Sequence, residues 1–559
     1  NACTRLLTPP MKRDLPTMAA TMFDVLVIGG GITGATVAWD AALRGLRVGL
    51  VEKGDFGAGT SAATSKLIHG GLRYLEQMEL GLVRESLRER RILSTVTPHL
   101  VHPLPFLIPA YGWGERLSLA AGARLYNALS YDRDRVPYAD RAIPKARILN
   151  RTDTLERDPA LPDDGLAGSM LYYDAQMYDP ARHLLEFMHS AVRHGAQIAN
   201  YAEAVDFTVK QDTIRDVTVR DRFTEQAYTL GARVVINATG PWADGLLHQI
   251  REDVSVPLRR SKGIHIITPP VTRLDQALVL QTPDGRHLFF LPWRNHALIG
   301  TTDAPFEGDP DGLAVTEADL HDFLDMINAT FPPAQLTRDD VLHFYAGLRP
   351  LVGAATDADT YRASRKHELV HHADDGMRNL FTAIGGKYTT ARHLAEQLVD
   401  RIFEALDRPP VPCTTDVVPT VGGDTGPFPR FLSWVQQRYS TLPDETAHHL
   451  ARSYGTRITD LMATARRGPV LMQRPSDHTP DIMAQVDYAV EREMALTLPD
   501  VMLRRTGLGT LGEPSLDTIE TVAQRMASHL HWDSRRFDDE VETMRDRYWP
   551  KRAPASTPA

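Results

Sequence analysis

Phe23-Asp-Val-Leu-Val-Ile-Gly-Gly-Gly-Ile-Thr-Gly-Ala35, continued by Val48-Gly-Leu-Val-Glu52, is the stretch on which the fold turns. Residues 25–28 are an apolar run that reads as a buried parallel strand. Gly29, Gly31 and Gly34 follow as G-x-G-x-x-G. Residues 35–44 then read as a helix stopped at Gly45, and residues 47–51 as a second strand delivering Glu52 at its carboxyl end. Strand, glycine turn, helix and acid-tipped strand make a βαβ unit whose backbone can approach a pyrophosphate. The helix N-terminus offers that anion unpaired N–H groups and partial positive charge. Glu52 suits a ribose hydroxyl and repels a 2′-phosphate. The motif by itself leaves FAD and NAD both open.

At 559 residues the chain exceeds one core, and two or three domains are expected. A net charge of −9 with no basic stripe gives no reason to expect nucleic-acid binding. Cys3 and Cys413 are the only cysteines, which excludes a disulfide framework and a cysteine zinc site; no metal centre is expected, and a reducing compartment fits. Residues 1–21 carry prolines and a few basic side chains but no signal-like apolar run, and read as a disordered leader. No window reaches the ~20 apolar residues of a membrane span, so any membrane attachment is expected to be peripheral.

Beyond Glu52, the small residues 57–65 suit a loop lying against a flat ligand, and His69-Gly-Gly-Leu-Arg73-Tyr74 clusters an imidazole, a guanidinium and a phenol. The same residues also fit a polar surface loop leading into a helix at 79–93. Residues 98–179 are proline-rich and less regular, with Pro103, Pro105 and Pro109 in an extended run. Trp113, Leu117, Ala121, Leu125 and Leu129 recur every fourth residue, the pattern of one helical face. That face either packs on the protein's own core or lies among lipid headgroups with Arg116 and Arg124 beside it. Residues 233–240 read as a strand ending in an Ala-Thr-Gly turn, and 257–302 as short antiparallel strands. Residues 379–392 read as strand, glycine pair and helix, so a helix N-terminus at Gly385-Gly386 is an anion site. Lys387 there is unfavourable unless something negative binds beside it. Residues 408–426 read as a linker, 427–550 as a helical domain and 551–559 as a tail.

The run Gly59-Thr-Ser, then Ser65-Lys-Leu-Ile-His-Gly-Gly-Leu-Arg-Tyr-Leu-Glu76, resembles the FAD-dependent, aerobic-type glycerol-3-phosphate dehydrogenase family. Further matches come in family order: Asn237-Ala-Thr-Gly-Pro-Trp242, Lys262-Gly-Ile-His265, Gly300-Thr-Thr-Asp303, Tyr345-Ala-Gly-Leu-Arg-Pro350, Gly385-Gly-Lys-Tyr-Thr-Thr390 and Pro499-Asp-Val-Met-Leu-Arg-Arg-Thr506. The resemblance implies an α/β protein: a two-dinucleotide-fold, Rossmann-like FAD domain, an antiparallel β cap or substrate domain, and a C-terminal α-helical domain. The FAD domain is expected at 22–97, 181–256 and 345–407, and the cap at 98–180 and 257–344. FAD then displaces NAD, with Gly29, Gly31, Gly34, Glu52, Thr60, Ser61, Ser65, Gly240, Gly385, Gly386, Lys387 and Thr389 as its expected contacts.

The implied reaction is oxidation of sn-glycerol 3-phosphate to dihydroxyacetone phosphate, C2 giving a hydride to flavin N5 and electrons passing to a membrane quinone. Arginine suits a dianionic phosphate, so Arg73, Arg349 and Lys387, with the Tyr74 hydroxyl, are the substrate candidates. The base is sought among His69, His265 and His99, since imidazole titrates near neutrality. The resemblance also implies peripheral attachment to the inner face of the cytoplasmic membrane, and leaves a homodimer open. Ala62-Ala63-Thr64 departs from the serine–arginine–serine run frequent in relatives, Ala391 from a tyrosine and Ile264 from a serine. Rival readings are an oxygen-using glycerol-3-phosphate oxidase, an amine or amino-acid oxidase of the same fold, and a flavin-containing binding protein.

Overall fold

The computed structural model describes residues 8–353 and 366–550. The expected tail at 551–559 and the first seven residues of the leader lie outside them.

The deciding stretch forms Met22–Ile28, the helix Ile32–Leu43 and Val48–Val51, the strands pairing in parallel from Val25↔Val48 to Ile28↔Val51. The helix begins before residue 35 because Gly31 is its cap, and Gly34 lies inside it. A Cβ on Gly34 would strike the Gly29 carbonyl, so its absence lets helix and strand pack closely. Around this unit an eight-stranded sheet runs His367–His371, Leu380–Gly385, Ala227–Asn237, Met22–Ile28, Val48–Val51, Gln197–Ala199. A hairpin of Ala202–Val209 and Ile214–Asp221 extends it from the start of Ala227–Asn237. Alternation sends Val25 and Val27 into one core with the helices Pro180–Arg193 and Ala391–Ala405, and Leu26 and Ile28 into another with the hairpin.

A second, ten-stranded sheet forms the cap. Its longest pair is Val101–Tyr111 against Leu166–Met177. The proline-rich run is therefore an ordered strand. Its prolines sit at odd positions, so the missing N–H groups share one side and the other side is free to pair. The strand His343–Val352 pairs with Leu258–Thr268 from Ile267↔His343 to Leu258↔Val352, so the cap continues past residue 344 into the range assigned to the FAD domain. Residues 427–550 close on a hydrophobic core of their own. There the short helix Leu498–Asp500 runs on into a π-helical turn, Val501–Arg505.

The expectation of a disordered leader is corrected for residues 8–21. Asp14 caps the helix Leu15–Ala19 by accepting the Thr17 N–H at 3.1 Å, and Leu15 and Met18 are buried against the sheet. Thr8 donates its N–H to Asp460 (3.1 Å) and Met11 to the Arg492 carbonyl (3.0 Å), both in the helical domain. Arg13 bonds the Asn200 carbonyl at 2.8 Å and Asp221 at 3.0 Å in the cofactor domain. The segment straps two domains together. Its partners lie hundreds of residues downstream, which is why its own composition could not reveal them.

Candidate active site

The two sheets face one another across a cavity of about 920 Å³. Of the expected cofactor contacts, Gly29, Gly31, Glu52, Thr60, Ser61, Ser65, Gly240, Gly385, Gly386, Lys387 and Thr389 line it, while Gly34 acts one layer behind through packing. The Glu52 carboxylate accepts the Gly30 N–H at 2.6 Å and the Gly54 N–H at 2.8 Å, which aims it beside the glycine turn. Burial pushes its pKa above the ordinary value, against the pull of those two N–H groups. The Ser61 hydroxyl accepts the Ile32 N–H at 2.9 Å, tying the small-residue loop to the helix start. Thr60 donates to the Leu348 carbonyl at 2.6 Å, tying the same loop to the cap.

The His69–Tyr74 segment supplies one polar wall. Gly71 is left-handed at φ +76°, and a Cβ there would sit 2.7 Å from the Tyr74 ring and 3.0 Å from Lys387 Nζ. That glycine lets the chain fold back so that Arg73 donates to the Tyr74 hydroxyl (2.9 Å) and Lys387 Nζ lies 3.9 Å from the centre of the Tyr74 ring. Lys387 also donates to Ser86 Oγ at 3.0 Å. Burial, then the Arg73 charge, bring its pKa from 10.5 down to about 7. His69, held by its backbone N–H to Thr389 Oγ1 (3.3 Å), is lowered to about 3 by burial, then by Lys387, Arg73 and Arg90. Behind it Asp174 accepts from the Gly70 N–H (2.9 Å), the Tyr126 hydroxyl (2.8 Å) and Arg90 (2.5 Å). Arg73, Lys387 and the Tyr74 hydroxyl thus meet on this wall, with Glu79, Glu85 and Asp174 close enough to act on the Lys387 charge.

Arg349 and His265 form a second polar group on the cap side. The Arg349 guanidinium donates to Thr301 Oγ1 (2.7 Å) and Ser261 Oγ (3.2 Å) and lies 3.5 Å from Asp303. It passes over Gly263, where a Cβ would be 2.6 Å from Nη1. His265 stacks on Tyr345, ring centres 5.1 Å apart, and its Nε2 lies 2.8 Å from Ser65 Oγ. Burial, with Arg349 and Lys66 nearby, holds His265 well below its ordinary pKa. Ser65, expected as a cofactor contact, is thus also the partner of a candidate base. Sequence reasoning missed Tyr345, Ser261 and Thr301. The register between Leu258–Thr268 and His343–Val352 could have flagged Tyr345, because it pairs that residue directly with His265.

Two expectations are corrected. His99 is outside the cavity: it is fully buried, its Nε2 3.5 Å from Glu186 within the ion-pair layer that Arg457 shares. It is therefore not a candidate base. The helix expected to open at Gly385-Gly386 instead begins at Ala391, after a 3₁₀ turn Tyr388–Thr390, so Lys387 stands ahead of the helix and turns toward Tyr74. Among the described residues only Asp487, Glu491 and His529 come within metal-binding reach of one another, and both acids are already paired with Arg525 and Arg467. No helix among the described residues is long and apolar enough to cross a membrane.

The cavity fits a flavin dinucleotide. Gly29 and Gly31 present bare backbone to it, Glu52 stands at the ribose position of the βαβ unit, and the cavity extends past them to the cationic wall. The family model for FAD-dependent oxidoreductases matches residues 24–392, and the model for the C-terminal domain of alpha-glycerophosphate oxidase matches residues 413–537. A glycerol-3-phosphate dehydrogenase of Synechocystis is 36% identical, covering 95% of this chain and 97% of its own. One from Mycobacterium leprae is 36% identical over 93% and 87%. The solved Bacillus halodurans glycerol-3-phosphate dehydrogenase, complexed with FAD, superimposes with a TM-score of 0.77 at 30% identity, covering 96% of both chains. Mycoplasma pneumoniae L-alpha-glycerophosphate oxidase, at 18% identity and a TM-score of 0.53, shares the fold. With a cofactor cleft that fits FAD, matching family models and near-full-length relatives, the chain belongs to the FAD-dependent glycerol-3-phosphate dehydrogenase family.

Proposed function

We propose that this chain oxidises sn-glycerol 3-phosphate to dihydroxyacetone phosphate. The observation that carries the reading is the meeting of a dinucleotide cradle with a cluster of basic side chains in one cavity, where burial and the Arg73 charge bring the Lys387 pKa down to about 7. Arg73, Lys387 and the Tyr74 hydroxyl grip the phosphate, and Arg349 orients the rest of the substrate from the cap. His69 takes the proton from the C2 hydroxyl. Burial is the largest cause of its low pKa; a phosphate dianion offsets the further lowering that Lys387 and Arg73 add, so substrate binding raises His69 part of the way back. His265 serves from the opposite wall as an orienting group tied to Ser65. FAD, when bound, supplies the acceptor for the hydride leaving C2.

The electron acceptor in this reading is a membrane quinone, and the protein works on the inner face of the cytoplasmic membrane. The helix Trp113–Leu129 supports this: Trp113 is 70% and Leu117 68% exposed, with the Arg116 guanidinium 5.1 Å from the Trp113 ring centre. The test is turnover with a dye or quinone acceptor. Consumption of sn-glycerol 3-phosphate with matching dihydroxyacetone phosphate, and none of glycerol or an amino acid, is expected. Preference for an amino acid would overturn it, and stoichiometric peroxide in air would reassign the acceptor to oxygen.

A further inference from the structure

We propose that the helical domain is a clamp on the cofactor: its turn Pro499-Asp-Val-Met-Leu-Arg-Arg-Thr506 grips Asp55, and through Asp55 holds the loop that backs the dinucleotide-binding glycines.

Asp55 stands three residues beyond Glu52, with its carboxylate buried. One oxygen accepts from Arg504 Nε (2.5 Å) and Arg505 Nη1 (2.7 Å), the other from Arg505 Nη2 (2.7 Å) and Asn200 Nδ2 (3.1 Å). Consecutive side chains on an α-helix diverge and do not share one partner. The π-helical winding of Val501–Arg505 brings the two guanidiniums to a single carboxylate.

The clamp is anchored on both sides. In the helical domain, Arg504 bonds Asp500 at 2.6 Å and Arg505 bonds the Glu493 carbonyl at 2.9 Å. Tyr201, from the cofactor domain, also donates to Asp500 at 2.7 Å. On the cofactor side, Phe56 follows Asp55 and lies so close to Gly30 that a Cβ there would be 2.8 Å from its ring. The Gly57 N–H donates to the Gly30 carbonyl at 3.0 Å, and Glu52 accepts the Gly30 N–H at 2.6 Å. Residues 52–57 and the glycine turn are therefore tied to one another at Gly30. A loop that swings away from Gly30 opens the cradle, and the two arginines oppose that swing. An acid so buried tolerates no loss of partners without re-orienting or taking a proton.

The inference goes beyond the reaction proposed above and is read without substrate. FAD-loaded wild type, Arg504→Met, Arg504→Lys and Arg505→Met are diluted at 25 °C, and FAD release is followed by its fluorescence, alongside thermal melting of each protein with and without FAD. Arg505→Met is expected to release FAD about tenfold faster and Arg504→Met about threefold, because loss of a buried partner costs several kcal/mol of which only a part reaches the cofactor. The rise in Tm that FAD gives should shrink in the same order, and Arg504→Lys should recover part of it. If Arg505→Met does not fold, Arg504→Met decides, since Arg505 still holds both carboxylate oxygens. Release within twofold of wild type, or melting points with and without FAD falling equally, overturns the proposal and leaves the pair a domain staple only.

Discussion

Replacing Lys387 by Met keeps the length of the side chain and removes its charge. Holding the ammonium charged where its pKa falls from 10.5 to about 7 costs about 5 kcal/mol. Burial is the largest cause and the Arg73 charge the next, so a dianion beside both cations reverses much of the shift. A contact from this ammonium to phosphate is worth about 1.5–3 kcal/mol, a ten- to hundredfold weakening of substrate affinity in the variant near pH 7. The sign of the pH dependence follows from the lowered pKa. Above about 7 the free site has lost its proton and must regain it to bind. Wild-type affinity should therefore weaken up to tenfold per pH unit, while that of Lys387→Met stays flat and the gap closes by pH 9. The assay is anaerobic titration of the flavin absorbance with dihydroxyacetone phosphate from pH 6.5 to 9. An equal deficit at both ends of that range would refute the reasoning, and loss of FAD from the variant would reassign Lys387 to the cofactor.

Other outcomes are equally open to measurement. Isothermal calorimetry at pH 8 in buffers of different ionisation enthalpy should show a proton taken up on binding, and proton release would contradict the placement of Lys387 beside the phosphate. His69→Asn should keep FAD and slow its reduction on the order of 10²–10⁴-fold, whereas a larger loss in His265→Asn would move the base to the cap side. Trp113→Glu with Leu117→Glu should abolish sedimentation with anionic vesicles and leave dye-linked turnover intact; unchanged sedimentation would remove that helix from the membrane contact. Gly34→Ala places a Cβ against the Gly29 carbonyl and should give protein with no bound FAD, so a normally loaded variant would show that strand and helix tolerate separation.

What the chain disclosed in advance was local. The βαβ unit is legible because its strand, turn and helix follow one another, and the glycines and Glu52 are fixed by backbone approach within thirty residues. The His69–Tyr74 wall is legible for the same reason: Gly71, Arg73 and Tyr74 pack on one another. What escaped depends on distant partners. The leader is ordered by Asp460 and Arg492, the proline-rich strand by pairing with Leu166–Met177, and His99 is removed from chemistry by Glu186 and Arg457. Lys387 was legible as a cation needing an anion, but its turn toward Tyr74 comes from the 3₁₀ segment ahead of Ala391. The arginine pair of the π-turn had no readable purpose until Asp55, some 450 positions earlier, was seen between its guanidiniums.

The most direct measurement mixes the FAD-loaded protein with sn-glycerol 3-phosphate in the absence of oxygen and follows the flavin band. Bleaching in a single phase, with one dihydroxyacetone phosphate formed per flavin and no response to glycerol or to amino acids, is the predicted result. An unbleached flavin in intact protein, or bleaching by an amino acid in place of the phosphate ester, would contradict it.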